Sequence, residues 1–300
     1  MRIPYFRLMS GLLLACVGTL HAQSPALKPT TPPATIPAMP GVRQLRDIPY
    51  VPGGSERQRL DLYLPAAGGP ARPLIVWVHG GSWLAGDKNA CVAPWLLDRG
   101  YAIASIDYRL SGNAIYPAQI EDCKAAIRFL RAHAAEYGIK PDRIGAWGAS
   151  AGGHLVALLG TTGDIRDFDI GANLDQSSKV QCVVDASGPT DFLNCAPSPA
   201  LDNPNGPLSR LLGGTVKANP EKARRASPVY FVNKNAAPFF IMHGDKDDTV
   251  PVQQAHLLDA ALKKAGAECA LTIFPGSGHS GREFYEQQTI LPFLDRHLKP

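Results

Sequence analysis

Short apolar runs alternate with helical segments over most of the 300-residue chain. The runs are continuous in apolar residues, which is typical of strands that are covered on both faces. The strongest of them span residues 73–81, 101–110, 180–187 and 236–244. Because parallel strands need a crossover between them, the alternation predicts an α/β fold with a mostly parallel central sheet and helices on both faces.

The segments between these runs complete the predicted architecture. Residues 57–65 alternate apolar and polar side chains, so we expect an antiparallel edge strand there. The segment from Asp191 to Asn235 is rich in proline, asparagine and glycine, and it predicts a small cap-like insertion of loops and short helices. Ligands of such sheets bind beyond the C-terminal ends of the strands. Helices are expected at 117–138, 150–160, 251–266 and 282–298.

The N-terminus has the composition of an export signal. A basic start, MRIPYFR, precedes an apolar stretch that is too short to span a bilayer, and small residues follow around Ala22. We therefore expect a signal peptide over 1–22 and a protein that is periplasmic or secreted. The stretch LLAC, which ends at Cys16, resembles a bacterial lipobox, so a lipoprotein anchored at Cys16 stays open as an alternative, as does an uncleaved anchor.

Residues 23–41 are rich in proline, which favours a semi-extended tether over helix or sheet. The folded catalytic domain is then expected over 42–300, with the insertion at about 191–235. The net charge of +4 is small and the lysines and arginines are scattered, so the sequence does not indicate a nucleic-acid-binding protein.

The cysteines show no spacing typical of a metal site. Five of them follow the signal, and an odd number leaves at least one thiol unpaired. An oxidising compartment would permit one disulfide, whose partners the sequence does not identify. The five are Cys91, Cys123, Cys182, Cys195 and Cys269.

The stretch DRIGAWGASAGGHLVALLG (142–160) places a glycine-rich turn between a strand and a helix. Such turns either bind phosphate or expose a nucleophilic serine. A Walker loop needs a lysine where this chain has His154, and a dinucleotide fingerprint needs a glycine where it has Ser150. The stretch instead matches GxSxG, which predicts Ser150 as a nucleophile on a sharp turn between very small neighbours.

A serine nucleophile needs hydrogen-bond donors for the oxyanion that forms during acyl transfer. The stretch HGGSW (79–83) ends the first buried strand, and its glycines allow a bound carbonyl to approach the backbone closely. We assign the oxyanion hole to the backbone N–H groups of Gly81, Ser82 and Ala151. His79 is expected to hold this loop, and Trp83 to pack beneath it.

The serine also needs a base, and the base needs an orienting acid. The stretch GSGHS (276–280) presents His279 in a small-residue loop after a strand, which predicts His279 as the base. The preceding strand ends in HGDKDDTVP (243–251), and the order serine, acid, histidine is that of an α/β-hydrolase. This loop supplies three candidate acids: Asp245, Asp247 and Asp248.

With these motifs the sequence resembles the α/β-hydrolase superfamily over roughly residues 42–298. It is similar to the bacterial feruloyl- and acetyl-esterase-like carboxylesterases related to hormone-sensitive lipase, which carry HGGxW and GxSAGG, and to the catalytic domain of prolyl-oligopeptidase-type enzymes. The resemblance also covers DYRL (107–110) and GPTDF (188–192). It implies that the acid is Asp247, with Asp248 as a runner-up that could cap a helix. It assigns Asp107 and Asp191 to structural hydrogen bonds.

The expected function is that of a serine carboxylesterase that works through an acyl-enzyme, without a metal or organic cofactor. The substrates implied are short-chain or carbohydrate-linked esters of the acetyl or feruloyl type. Two alternatives stay open: a prolyl-oligopeptidase-like peptidase and a non-catalytic binding module. The binding module fits the sequence less well, because such proteins lose the nucleophile or the base and this chain has both.

Overall fold

A computed structural model of the protein describes residues 41–65, 69–89, 93–194 and 203–299. The predicted signal peptide and almost all of the predicted tether lie outside these residues, as do Cys91 and Cys195. In the described part of the chain no helix is long and apolar enough to cross a membrane.

Eight strands form one sheet within the described residues, in the order β1-β2-β4-β3-β5-β6-β7-β8. The strand β2 pairs antiparallel with β1 and with β4, and every other pair is parallel. The mostly parallel sheet with an antiparallel edge is therefore confirmed. The strands are β1 (Val42–Pro49), β2 (Arg59–Pro65), β3 (Arg72–Val78), β4 (Ala102–Ile106), β5 (Ile139–Ala149), β6 (Cys182–Ala186), β7 (Phe239–Gly244) and β8 (Cys269–Phe274).

Helices cover both faces of the sheet. Two clusters of buried apolar side chains form the core, one on each face. On one face α2 and α4 pack together, and on the other α8 packs against β5 and β6. The helices are α1 (Trp95–Asp98), α2 (Ala118–Ala132), α3 (Ala134–Tyr137), α4 (Ala151–Thr161), α5 (Pro207–Leu212), α6 (Pro220–Arg225), α7 (Gln253–Ala265) and α8 (Gln287–Leu298).

Two of the predicted helices are wrong in detail. The helix predicted at 117–138 is interrupted at His133, which lies outside helical geometry, and Gly138 ends the second piece in the left-handed region with φ 66°. The helix predicted at 282–298 begins as a 3-10 turn, Arg282–Tyr285, and the extended backbone of Glu286 separates this turn from α8.

The insertion at 191–235 contains α5, α6 and the 3-10 turn Pro228–Phe231 among its described residues. The helix α5 lies on the side where β3, β5, β6, β7 and β8 have their C-terminal ends, because its Pro207 shares a cavity with Ser150. Of the five cysteines, Cys123, Cys182 and Cys269 are free thiols in the structure. These three therefore form no disulfide with one another.

Candidate active site

Ser150 occupies the turn between β5 and α4 with a strained backbone, φ 57° and ψ −121°. A Cβ atom would not fit at the positions two residues before and two residues after it. A Cβ atom on Gly148 would collide with the carbonyl of Gly152, and one on Gly152 would collide with the carbonyl of Val78. The small residues of GxSxG are thus required by the close packing of the turn against β3 and α4.

The structure brings Ser150, His279 and Asp247 together from three separate loops. The Nε2 atom of His279 lies 2.8 Å from Ser150 Oγ, and its Nδ1 atom lies 2.7 Å from Asp247 Oδ2. A carboxylate oxygen only accepts, so Nδ1 carries a proton and Nε2 of the neutral ring accepts from the serine hydroxyl. This geometry matches the hydrogen-bond chain of a serine nucleophile with its base and orienting acid.

Asp247 is held as a carboxylate. Its side chain is fully buried, and burial by itself raises the pKa. Hydrogen bonds from His243, His279 and the backbone N–H of Val250 outweigh burial and hold the pKa of Asp247 well below its usual range. Its Oδ1 atom accepts the N–H groups of Thr249 at 2.9 Å and Val250 at 2.8 Å.

The loops that carry Asp247 and His279 are joined by backbone contacts. The N–H of Lys246 donates to the carbonyl of Ser277 at 2.8 Å, and Asp245 accepts the N–H of Gly276 at 2.7 Å. A Cβ atom on Gly244 would collide with the carbonyls of Ser277 and Gly278. Asp245 therefore has a structural role, since it ties one loop to the other.

Asp248 caps no helix, so that part of the prediction is wrong. The helix α7 begins after Val252 without a side-chain cap, and Asp248 accepts a hydrogen bond from the neighbouring hydroxyl of Thr249 at 3.2 Å.

The HGGSW loop lies against the serine turn. A Cβ atom on Gly80 would approach the carbonyl of Ala149 to 2.8 Å. Gly81, Ser82 and Trp83 all have positive φ, at 106°, 56° and 58°. The N–H groups of Gly81, Ser82 and Ala151 donate to no partner among the described residues, and both Ser82 and Ala151 line the same cavity as Ser150.

His79 supports this loop. Its Nδ1 atom donates to the carbonyl of Gly80 at 2.7 Å, and its ring stacks on Tyr108 at 4.4 Å. The hydroxyl of Tyr108 donates to the carbonyl of His79 at 3.0 Å. Burial lowers the pKa of His79 to about 4, so the ring is neutral at physiological pH.

The two acids that the resemblance assigns to structure do form structural hydrogen bonds. Asp107 accepts the N–H of Lys88 at 2.8 Å, and burial raises its pKa to about 6. Asp191 accepts the N–H groups of Leu193 and Asn194 at the start of the insertion.

An apolar cavity of about 120 Å³ opens beside Ser150. Its walls include Trp83 from the HGGSW loop, and Phe192 and Leu208 from the insertion. All three are nearly buried, so the cavity is a continuation of the core. Trp83 packs beneath the loop as expected and also lines the cavity. Tyr230 and Phe231, which also belong to the insertion, do not line it: Tyr230 donates to Asp191, and Phe231 packs on Phe168.

His154 links one wall of this cavity, Trp83, to Ala226 of the insertion. The indole N–H of Trp83 donates to His154 Nδ1 at 3.2 Å, and His154 Nε2 donates to the carbonyl of Ala226 at 2.6 Å. Burial lowers the pKa of His154 to about 4, which agrees with its acceptor role toward Trp83. The described residues contain no group of three or more His, Cys, Asp or Glu side chains positioned to hold a metal ion.

His243 is the residue near the site that sequence reasoning missed. The motif HGDKDDTVP, which begins with His243, gives this residue no role of its own. In the structure its Nε2 atom lies 3.0 Å from Asp247 Oδ2. The signal was its position four residues before the acid, but the contact depends on how the chain turns between them.

The sequence of this chain is similar to a known protein family and to several named esterases. The sequence profile of the BD-FAE family matches residues 60–262. The chain is 33% identical to "Esterase LipQ" of Mycobacterium tuberculosis over 247 residues, which are 77% of this chain and 57% of that protein. It spans about half the length of the curated relatives it matches.

Solved structures are similar over nearly the whole described part. A truncated carbohydrate esterase from gut microbiota superposes with a TM-score of 0.78 at 32% identity, covering 86% of this chain and 97% of that one. An acetyl ester-xyloside bifunctional hydrolase from Caldicellulosiruptor lactoaceticus superposes with a TM-score of 0.65 at 28% identity, covering 80% and 84%.

Proposed function

The chain belongs to the BD-FAE family and has the α/β-hydrolase fold, and from this premise we propose that it is a serine carboxylesterase for short acyl esters, including acetyl groups on carbohydrate. The observation that carries the proposal is the hydrogen-bond chain from Ser150 through His279 to Asp247, with 2.8 Å and 2.7 Å links. This arrangement matches that of a serine nucleophile, a general base and an orienting acid.

In the proposed reaction Ser150 Oγ attacks the ester carbonyl carbon, and His279 Nε2 takes the hydroxyl proton. Asp247 stays ionised and stabilises the imidazolium that forms. The imidazolium then gives its proton to the leaving alcohol oxygen as the ester C–O bond breaks. Water repeats the sequence on the acyl-enzyme, which releases the carboxylic acid and restores Ser150.

The negative oxygen of the tetrahedral intermediate is stabilised by backbone N–H groups in this proposal. Those of Ser82 and Ala151 are the best supported, because both residues line the cavity with Ser150 and neither N–H has another partner among the described residues. Gly81 is the third candidate, and its left-handed backbone shapes the turn. Ala151 begins α4, so the helix dipole also favours negative charge at this point.

The cavity favours a short acyl chain. An apolar cavity of about 150 Å³ in another protein holds a benzene molecule, whereas this one measures about 120 Å³. A feruloyl group, which carries a substituted ring and a propenoyl chain, is larger than benzene. Acetyl to butyryl groups fit the available space, so we favour the acetyl-type substrate over the feruloyl-type.

The proposal that the substrate is a carbohydrate ester is supported by the similarity of this chain to two solved structures. Two of the similar solved structures are named as a carbohydrate esterase and an acetyl ester-xyloside hydrolase. The apolar cavity accounts for the acyl group only, so the sugar would lie outside it.

A substrate panel tests the proposal: p-nitrophenyl acetate, butyrate and decanoate, acetylated xylan, methyl ferulate and an aminoacyl-naphthylamide. We expect hydrolysis of the two short esters and of acetylated xylan, and a loss of roughly 10⁴-fold or more in kcat for Ser150→Ala. Preferential cleavage of the naphthylamide would support a peptidase instead. Full activity of Ser150→Ala would refute the mechanism.

A further inference from the structure

His243 is the second-to-last residue of β7, and its fully buried side chain is not used in the reaction described above. Its Nε2 atom lies 2.8 Å from the carbonyl oxygen of Val250 and 3.0 Å from Asp247 Oδ2. Both of these oxygens only accept hydrogen bonds. The Nε2 atom must therefore carry a proton, which it shares between the two oxygens.

The other ring nitrogen of His243 meets no partner among the described residues, although it is buried. A second proton on Nδ1 would place an unpaired cationic donor in the interior, which is costly. The arrangement therefore fits a neutral imidazole in its Nε2–H form. His243 thus differs from His279, which presents Nδ1 to the same carboxylate oxygen.

The two oxygens of Asp247 have separate sets of donors. Oδ1 accepts the backbone N–H groups of Thr249 and Val250, and Oδ2 lies between the imidazoles of His243 and His279. An ionised carboxylate has about four acceptor positions, so these four donors fill them, which holds the orientation of Asp247 and favours its ionised form.

We propose that His243 is a positioning residue for the acid of the triad: a neutral second imidazole that fixes Asp247 Oδ2 against His279 and shares the charge of the carboxylate. It touches neither the substrate nor the reacting atoms. The inference rests on the proposed esterase function, because it assigns a role within that same triad.

The carboxylate gains two properties from this donor. First, Oδ2 is held at one point, so the ring of His279 keeps its orientation toward Ser150; a displacement of about 1 Å in such a group can cost on the order of 100-fold in rate. Second, part of the negative charge on Oδ2 is neutralised by the hydrogen bond from His243. The imidazolium of His279 is then stabilised less strongly, so the base stays unprotonated to lower pH.

The titratable groups that face His243 are few. Asp247 faces it from the loop after β7, with His279 beyond. Asp185 faces it from β6 and accepts the N–H of Gly188 at 3.0 Å. Burial raises the pKa of Asp185 to about 6. The kcat values of the variants are therefore compared above this pH, where Asp185 is ionised.

Two variants separate positioning from mere packing. His243→Leu keeps the volume and removes the donor, and His243→Gln keeps an N–H donor near the position of Nε2. We expect His243→Leu to lose roughly 10- to 100-fold in kcat per titrated active site, with KM little changed and the acid limb of the kcat/KM profile moved to higher pH. His243→Gln should recover most of the kcat and most of the wild-type position of the acid limb. His256→Leu, which removes an exposed histidine from α7, is the matched control.

A purely structural role would lower the number of titratable sites but leave kcat per site and the position of the acid limb unchanged, and that result would overturn the proposal. If both variants fail to fold, histidine-selective ¹⁵N NMR of the unmodified protein tests the proposal by identifying the tautomer of His243. The proposal predicts a neutral Nε2–H tautomer for His243 at pH 7, and a Nδ1–H tautomer or a doubly protonated ring contradicts it.

The NMR measurement can be repeated on Ser150→Ala, which has no nucleophile. Its result is therefore independent of whether the protein is an esterase. If the panel of substrates fails but the tautomer is as expected, the proposed function is at fault and the hydrogen-bond assignment stands.

Discussion

Gly152 shows how closely the serine turn is packed. Its missing side chain makes room for the carbonyls of Val78 and His79 at the end of β3. Ser150 holds its strained φ of 57° because these neighbours leave the turn no other path. A single methyl group at position 152 should therefore shift the turn.

We expect Gly152→Ala to lower the free energy of unfolding by about 1–3 kcal/mol, which is usual for overpacking a tight site, and to abolish most of the activity. Urea unfolding and p-nitrophenyl acetate hydrolysis measure the two effects. Gly112→Ala is the control, because nothing lies within 4 Å of a Cβ atom at Gly112. Equal stabilities for the two variants would mean that the turn is not tightly packed.

Asp247 links the site to the acid stability of the fold. Its pKa in the folded protein lies below its usual range, despite burial, because of its hydrogen-bond donors. A carboxyl of this kind stabilises the fold fully above its unfolded pKa of about 3.9. The contribution is lost as the pH falls from there toward the folded pKa, since the unfolded chain then binds the proton first.

The wild type should thus be more stable than Asp247→Asn at about pH 4.5, and the difference should shrink by about pH 3. Urea denaturation at both pH values measures it. Asp248→Asn changes an exposed neighbouring acid and should leave stability nearly unaltered at both. If the stability difference between the wild type and Asp247→Asn increased as the pH fell, Asp247 would be protonated in the folded state.

At this scale the sequence is informative where chemistry restricts the residue type. The position of Ser150 on a sharp turn could be predicted because such a turn needs very small neighbours, and the position of His279 because it lies in the loop after the last strand. The acid could not be chosen from Asp245, Asp247 and Asp248 by residue type alone, and only the resemblance singled out Asp247. The contact of His243 could not be predicted, since it requires the path of the loop.

The insertion helix α5 contributes to the cavity beside Ser150 and also packs into the core. Two of its leucines, Leu208 and Leu211, are almost fully buried, but only Leu208 lines the cavity beside Ser150. The two positions therefore form a matched pair that separates cavity size from helix stability.

Leu208→Ala should enlarge the cavity and raise kcat/KM for longer esters relative to acetate by roughly 10-fold, since each accommodated methylene is worth about 1–3 kcal/mol. Leu211→Ala should keep the acetate preference. Both should lose stability to a similar degree, about 2–5 kcal/mol. The measurement is a series of p-nitrophenyl esters from acetate to octanoate, and the same change in both variants would show that α5 does not set the chain length.

Among the elements, strands were easier to predict than helix ends. The apolar runs of β3 to β7 are buried and bounded by glycine or polar residues, so their existence followed from the sequence. The sequence did not predict the edge strand β1, because an irregular register between Leu45 and Ile48 disturbs the alternation of its apolar and polar residues. The break at His133 was missed as well, because the apolar spacing continues across it.

At the scale of the whole molecule, we propose that the protein is exported, on the basis of the signal-like residues 1–22 and the proline-rich segment after them. Mass spectrometry of the protein recovered from its native host should find a mature chain that starts at Gln23. A chain that begins with a lipid-modified Cys16 would show instead that it is anchored to a membrane. An intact N-terminus in the cytoplasmic fraction would contradict export.

Central to the proposed mechanism is the claim that Ser150, activated by His279 and Asp247, is the nucleophile of acyl transfer. Treatment with a fluorophosphonate probe followed by peptide mapping tests it directly, since the probe phosphonylates an activated serine. We predict one equivalent of label on Ser150, slow labelling in His279→Ala and none in Ser150→Ala. An unlabelled Ser150 in the folded wild type, or equal labelling of Ser150→Ala, would contradict the claim.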